Sequence, residues 1–467
     1  MNYLIKLLIP IFVGVVLYNL SVPEGLNPKG WHLFSIFVAT IVGVVVKPLP
    51  MGAVALMGLV ATVLTGTFDL GKEGLSGYGS SVIWLVIYVF FIARGFIKTR
   101  LGTRIAYYFV TILGKSSLGL GYGMVLTELL IAPVIPSNAA RAGGIMYPIL
   151  KSIAESLGSL PNDGTARKLG AYLTQVCCHG NLITSAMFLT AMAANPMAQT
   201  LALSQNVTLD WMLWFKAAIV PGLISLLLLP LVLYFIYPPE VKKLPDAIDI
   251  AKAKLLEMGP MSIKEWIMTG VFAFMLVLWI KGEAYGISST LTALLGLTLL
   301  ILTNILNWDD ILNEKEAWHT LVWFAILVTM AKFLQDFGFV TWFSGCVGKV
   351  FHGYEWHHAF LGLILVYFYS HYLFASNTAH VGAMYGAFLG VAVAAGVPPV
   401  LAALVLGFCS SLFSSMTHYG SSSCVVLFGT GYVPITTWWV LGFIISVFNL
   451  LIWLGSGAFW WKALGLW

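Results

Sequence analysis

Long, nearly uncharged runs divide this chain, and they are too apolar and too numerous to be hidden inside a water-soluble globule. Stretches 4–20, 31–47, 52–67, 81–98, 211–237, 265–281, 287–306, 318–334 and 435–461 are of this kind. At 1.5 Å per residue, each covers most or all of the roughly 30 Å hydrocarbon core of a bilayer as a helix. Only 9% of the residues are charged and 59% are hydrophobic, against about 25% charged in an ordinary soluble protein. The runs are continuous rather than alternating segments of about ten residues, which excludes an outer-membrane barrel. The chain is therefore expected to be an all-α polytopic membrane protein whose partner is the lipid bilayer. Its net charge of +5 calls for no nucleic acid, since Lys and Arg near membrane-spanning ends report orientation first. The five cysteines, Cys177, Cys178, Cys346, Cys409 and Cys424, form no C-x-x-C pair and read as reduced packing residues.

Adding stretches 168–200 and 398–430 gives eleven expected spans. Two more apolar stretches, 118–150 and 357–396, carry a polar, helix-breaking cluster at their middle, IPSNAARAGG at 135–144 and FASNTAHVGA at 374–383. Each half is too short to cross alone, so each stretch is expected to form a re-entrant hairpin with its tip buried in protein or lining a cavity. The long polar segment 238–264 reads as a connector with an interfacial helix between two halves. Placing the N-terminus inside puts sixteen Lys and Arg on the cytoplasmic side, Lys47 and Arg104 among them, six outside, Lys349 among them, and two within membrane stretches. The C-terminus is then outside. No small-residue cleavage site follows the first run, which is read as a retained helix in a prokaryotic cytoplasmic membrane.

The halves read as repeats. Ser137-Asn138-Ala139-Ala140-Arg141 matches Ser376-Asn377-Thr378-Ala379-His380 at an offset of 239 positions, and each pentad leads into a small-residue arm. With one hairpin entering from each side, the repeats are inverted, the pattern of a secondary transporter with a midplane site.

A half-helix N-terminus offers unpaired N–H groups and the positive end of a dipole, which suits an anion. Ser137, Asn138, Ser376, Asn377 and Thr378 add neutral donors and acceptors. One such motif alone would read as ordinary capping; two directed at one midplane favour a ligand site. A second break follows each hairpin, in 178–196 and in 416–434, where Gly, Ser and Pro free backbone groups. Thr184, Ser185, Thr417, His418, Gly420 and Ser421 are the polar groups nearest these breaks. Arg141 and His380 share the fifth pentad position. Arg141 has two open readings, a salt bridge with Glu128 or compensation of a bound anion's charge. His380 and His418 have no nearby carboxylate in sequence and favour the second role.

These motifs, together with THYGSSS, FGTGYVP and the terminal FWWKALGLW, make the chain resemble the divalent anion/sodium symporter family end to end. Within it, the resemblance is to the dicarboxylate-exchanger branch, which includes chloroplast 2-oxoglutarate/malate translocators and bacterial citrate/succinate antiporters. The resemblance implies a homodimer that moves a C4 or C5 dicarboxylate elevator-fashion against a counter-substrate, with the Ser-Asn-Thr tips holding it. It also implies scaffold helices at 1–117 and 265–355, transport parts at 118–210 and 356–434, a connecting span and linker at 211–264, and a final span at 435–467. The first motif departs at Ala139, which lacks the hydroxyl of Thr378, so the two substrate carboxylates are expected to be held unequally.

In sodium-coupled relatives, ions sit among the tips and breaks; here Arg141, His380 and His418 are expected to replace them, favouring exchange over symport, although most oxygen ligands for sodium remain. A membrane-embedded enzyme is the reading from another class. It lacks support, because there is no H-E-x-x-H, no G-x-x-x-x-G-K-S/T, and Asp309-Asp310 has no spacing partners for a metal site. No metal and no cofactor are expected.

Overall fold

The computed structural model describes residues 3–348 and 355–467. Among these the chain is helical throughout. After α1 (Tyr3–Asn19) come α2 (Pro28–Val46), α3 (Met51–Leu64), α4 (Ser81–Thr99), α5 (Leu101–Leu113), α6 (Ser117–Ile131), α7 (Tyr147–Ser156), α8 (Gly170–Met187), α9 (Ala194–Ser204) and α10 (Trp211–Ile236). The connector carries α11 (Ala247–Met258). The second half runs α12 (Ile263–Lys281), α13 (Ser289–Leu302), α14 (Trp308–Leu312), α15 (Lys315–Asp336), α16 (Phe339–Gly348), α17 (Trp356–Tyr369), α18 (Asn377–His380), α19 (Gly386–Ala394), α20 (Pro399–Leu412), α21 (Ser422–Phe428) and α22 (Ile435–Ala463).

The order recurs. Helices α2, α3, α4, α5, α6, α7, α8, α9 and α10 correspond in turn to α12, α13, α15, α16, α17, α19, α20, α21 and α22. Among the described residues, seven helical stretches are long and apolar enough to cross a bilayer; shorter apolar helices of 10–17 residues accompany them. Two elements of the repeat differ from the sequence-based map. Helices α5 and α16 fall in segments expected to be connections. With 13 and 10 residues, neither spans a bilayer, yet each precedes an interrupted element. Arg104 of α5, counted from sequence as a loop cation, is buried; it pairs with Glu265 at 2.5 Å and donates to the carbonyl of Gly259 at 2.9 Å. The connector helix α11 packs on α5. Lys349, counted among the outer cations, and the end of the 265–355 segment lie outside the described residues.

The middle of the molecule is built from both halves. Every residue of α8 is buried, and its neighbours include α6, α10 and α20. A helix covered on all sides can carry polar side chains only where partners exist, and α8 carries Gln175, His179, Asn181, Thr184 and Ser185.

The helix breaks have local causes. Pro136 disfavours helical geometry at the preceding residue, and Ile135 is extended at φ −118°, ψ 96°. The second tip, 374–383, has no proline; Ser376 at φ −165°, ψ 131° caps the returning arm by accepting from the Ala379 N–H. Ser137 accepts from the Ala140 N–H in the same way. Both returning arms widen into a π-turn just past the tip, at Ala140–Met146 and Val381–Tyr385.

Candidate functional site

The two tips open onto one cavity of about 860 Å³. Ser137, Asn138 and Ala139 line it from the first half; Ser376, Asn377 and Thr378 line it from the second. Met192–Ala194 from the first break and Ser422, Val425 and Val426 from α21 complete this wall. The opposite wall comes from the end of α2, the turn into α3, and α15: Lys47, Met51, Glu316, His319, Thr320 and Trp323. The volume falls in the range of a small-molecule site.

Each tip is pinned to the broken helix of its own half by an equivalent Asn–Ser pair. Ser185 donates its hydroxyl to Asn138 Oδ1 at 3.2 Å. Asn377 Nδ2 donates to Ser414 Oγ and to the Ser410 carbonyl, both at 2.9 Å. The tip hydroxyls also bond locally, Ser376 to Thr378 at 2.9 Å. Capping and cavity lining therefore coexist in the same side chains.

Behind the first tip, Arg141 is fully buried and off the cavity wall. Its Nε donates to Glu128 Oε1 at 2.6 Å, and its Nη2 to Ser185 Oγ at 2.5 Å. Its Nη1 donates to the Ala191 carbonyl at 2.6 Å and also to the Ile135 carbonyl. Those carbonyls belong to the two places where the helices break. One planar guanidinium thus ties the tip, the break and α6 together, and the salt-bridge reading of Arg141 is the one the geometry displays. Asn181 Nδ2 bonds the same Glu128 oxygen at 2.7 Å.

The second half solves the same problem without an ion pair. Tyr367 stands where Glu128 stands in the first half, and His380 where Arg141 stands. Tyr367 and His380 stack with ring centroids 4.6 Å apart, and Tyr367 donates or accepts a hydroxyl bond with Ser410 at 2.9 Å. His380 is buried among Tyr367, Phe374 and Phe413, with Nε2 at 3.1 Å from Ser370 Oγ. The freed carbonyl of the second break, that of Gly420, lies 2.8 Å from His371 Nε2. His371 lies outside both pentads and escaped the sequence reading.

The other sequence candidates do not line the cavity. Thr184 bonds within α8, to the carbonyl of Asn181 at 3.1 Å. Ser421 bonds Ser423 at 2.7 Å, and Thr417 is buried. His418 Nδ1 accepts from Trp439 Nε1 at 3.1 Å, and the ring packs on Phe428. Arg141, His380 and His418 are thus all absent from the cavity lining, whereas Lys47, Glu316 and His319, which the sequence reading did not single out, belong to it. The last helix of each half backs its break: Trp214 of α10 donates to the Ala186 carbonyl at 2.9 Å, and Asn449 of α22 to Ser415 Oγ at 3.2 Å.

Apolar helices of membrane length, arranged twice around a polar cavity at two helix breaks, define a polytopic membrane transporter rather than an enzyme. The chain belongs to the family described as the sodium:sulfate symporter transmembrane region, whose profile matches residues 1–467. It is 54% identical to the putative malate transporter YflS of Bacillus subtilis, over 99% of this chain and 97% of that protein. It is 51% identical to the chloroplastic dicarboxylate transporter 1 of Spinacia oleracea, over 99% of this chain and 81% of that one. The crystal structure of the YdaH transporter of Alcanivorax borkumensis shares the fold, with a TM-score of 0.56 over 99% of this chain and 97% of that one, at 11% identity.

Proposed function

We propose that this protein exchanges C4 and C5 dicarboxylates, such as malate, succinate, fumarate and 2-oxoglutarate, across the cytoplasmic membrane without sodium. The observation that carries the reading is the pair of matched Ser-Asn tips lining one cavity, one for each carboxylate. Relatives named for malate and dicarboxylate transport at 54% and 51% identity support the substrate class. In this reading eleven helices span the membrane, two hairpins re-enter it, the halves are inverted, and the protein works as a homodimer. The cavity lies between segments 118–210 and 356–434, which carry the tips, and the helices α2, α4 and α15 on the far wall. Elevator movement of the former against the latter would expose the site to each side in turn.

Sodium-independence is supported at the break carbonyls. Freed carbonyls at broken helices are the usual cation ligands in transporters. Here the Ile135 and Ala191 carbonyls are engaged by Arg141, and the Gly420 carbonyl by His371. A co-transported sodium ion would have to compete with these side chains.

Purified protein in liposomes tests the reading. Labelled malate or succinate should enter only vesicles loaded with unlabelled dicarboxylate, and at the same rate when choline replaces sodium. Sodium-driven uptake into empty vesicles would restore the symport reading. No dicarboxylate flux under any condition would overturn the substrate class.

A further inference from the structure

Lys47 is the only lysine or arginine among the described residues that line the cavity. It sits at the end of α2 with φ 52° and ψ 56°, and its N–H caps the helix by donating to the Gly43 carbonyl. A left-handed conformation is uncommon for a residue with a side chain. Among the described residues, the four other non-glycine residues with positive φ are Arg100 and three asparagines, and asparagine tolerates that region far better. The segment that follows, Pro48-Leu49-Pro50, fixes two further φ angles and so holds the turn that presents Lys47. Lys47 is an exposed residue of the cavity lining and forms no salt bridge among the described residues. The other charged side chain of the lining, Glu316, forms no salt bridge with Lys47, and Arg141 lies off the lining, paired with Glu128.

We propose that Lys47 is a specificity-determining residue that holds the dianionic state of the substrate from the wall opposite the tips, and does so only while the cavity is open on Lys47's side. The inference rests on the dicarboxylate-exchange reading and extends it. The tips supply neutral donors and acceptors, which grip carboxylates but discriminate weakly between one charge and two. A fixed ammonium across the cavity discriminates through Coulomb attraction. Because Lys47 belongs to α2 and the tips to the interrupted elements, a relative movement of the two walls takes the substrate away from Lys47. Affinity then differs between the two faces of the membrane, and release on the far side is eased.

Half-saturation for dicarboxylate, measured separately from each face in right-side-out and everted vesicles, tests this. Lys47→Gln should raise it about fivefold or more from one face, with little change from the other, and should erode the preference for succinate over its mono-amide. Lys47→Arg should restore most of both. A rise shared equally by the two faces, or no rise with protein present at wild-type levels, overturns the proposal while leaving the exchange reading intact. Wild-type vesicles that exchange no dicarboxylate from either face overturn both.

Discussion

Arg141 and Glu128 form a fully buried ion pair at 2.6 Å, and the equivalent positions in the second half are Tyr367 and His380, stacked 4.6 Å apart. The same junction between a hairpin arm and its returning arm is thus held by charge in one half and by aromatic packing in the other. A buried pair is costly to break, because the remaining partner becomes an uncompensated charge in a low-dielectric interior. Arg141→Ala or Glu128→Ala is expected to cost about 3–5 kcal/mol of stability, seen as a lowered unfolding midpoint in detergent. Arg141→Lys should recover little, since one ammonium cannot reproduce a planar fork bonded to Glu128, Ser185 and two carbonyls. The double variant Glu128→Tyr with Arg141→His should be more stable than Arg141→His alone. Equal midpoints for the two would refute the equivalence of the junctions.

The tips make a prediction about affinity. Asn138→Ala should remove a hydrogen bond to a charged carboxylate, about 1.5–3 kcal/mol, and so weaken substrate binding about ten- to hundredfold; Asn377→Ala frees the second tip from Ser410 and Ser414 and should weaken binding by displacing that tip. Ser185→Ala removes the bond that orients Asn138 and an acceptor of Arg141, and Ser414→Ala removes an acceptor of Asn377 and a bond to the Gly420 carbonyl; both act on the substrate indirectly and should cost less affinity. The measurement is half-saturation of exchange at matched protein levels. Wild-type affinity in both asparagine variants would exclude the tips as the site.

Much of this was visible in the sequence because polar clusters inside apolar runs have few structural explanations. Pro136 and the Ser-Asn dipeptides announced the breaks, and the repeated pentad announced the symmetry. What escaped is equally physical. Helices α5 and α16 are too short to span a bilayer and so gave no hydropathy signal that separates them from connections. Lys47 was counted for orientation, since sequence does not say whether a lysine at a span's end faces lipid headgroups or a cavity. His371 packs on Phe413 and His380, whereas His418 packs on Phe428 and Trp439, and only three-dimensional packing shows that His371, not His418, meets the break carbonyl. Proximity to a motif along the chain does not fix the side of the helix a residue faces.

Helix α22 makes a prediction about the second break. A Cβ on Gly442 would lie 2.4 Å from the Ser415 carbonyl oxygen and 2.7 Å from that of Met416, both backbone groups that cannot rotate away. Gly442→Ala should therefore displace the break that carries Thr417 and Gly420. Slower exchange and a lower unfolding midpoint are expected together. A variant with normal rate and stability would mean that α22 yields instead, and that the break is not rigidly supported.

The aromatic cluster separates a packing role from a charge role for His380. Its ring is enclosed by Tyr367, Phe374 and Phe413 and is buried. His380→Phe keeps the stacking and removes any proton, whereas His380→Ala leaves a void and costs packing energy. A phenylalanine variant with wild-type half-saturation and stability, beside a destabilised alanine variant, is expected from packing. Loss of affinity in the phenylalanine variant at normal stability would instead assign His380 to charge compensation.

Movement of one wall against the other can be read from the accessibility of single cysteines. Four of the five native cysteines are buried and Cys346 is exposed, so Cys346→Ser provides a background with little surface thiol. In that background Thr378→Cys, on the second tip, should react with a membrane-impermeant thiol reagent from whichever face the cavity opens to, and dicarboxylate should slow the reaction by occupying the site. With substrate on both sides and exchange under way, the same cysteine should also become reactive from the opposite face, because the tip travels. Lys47→Cys, on the other wall, should stay reactive from its original face alone. The contrast between the two positions is what distinguishes an elevator from a gate that opens around a stationary site: a gate would make both cysteines accessible from either side in turn. If Thr378→Cys reacts from only one face under every condition, the tips do not cross, and the assignment of segments 118–210 and 356–434 to a moving part is wrong.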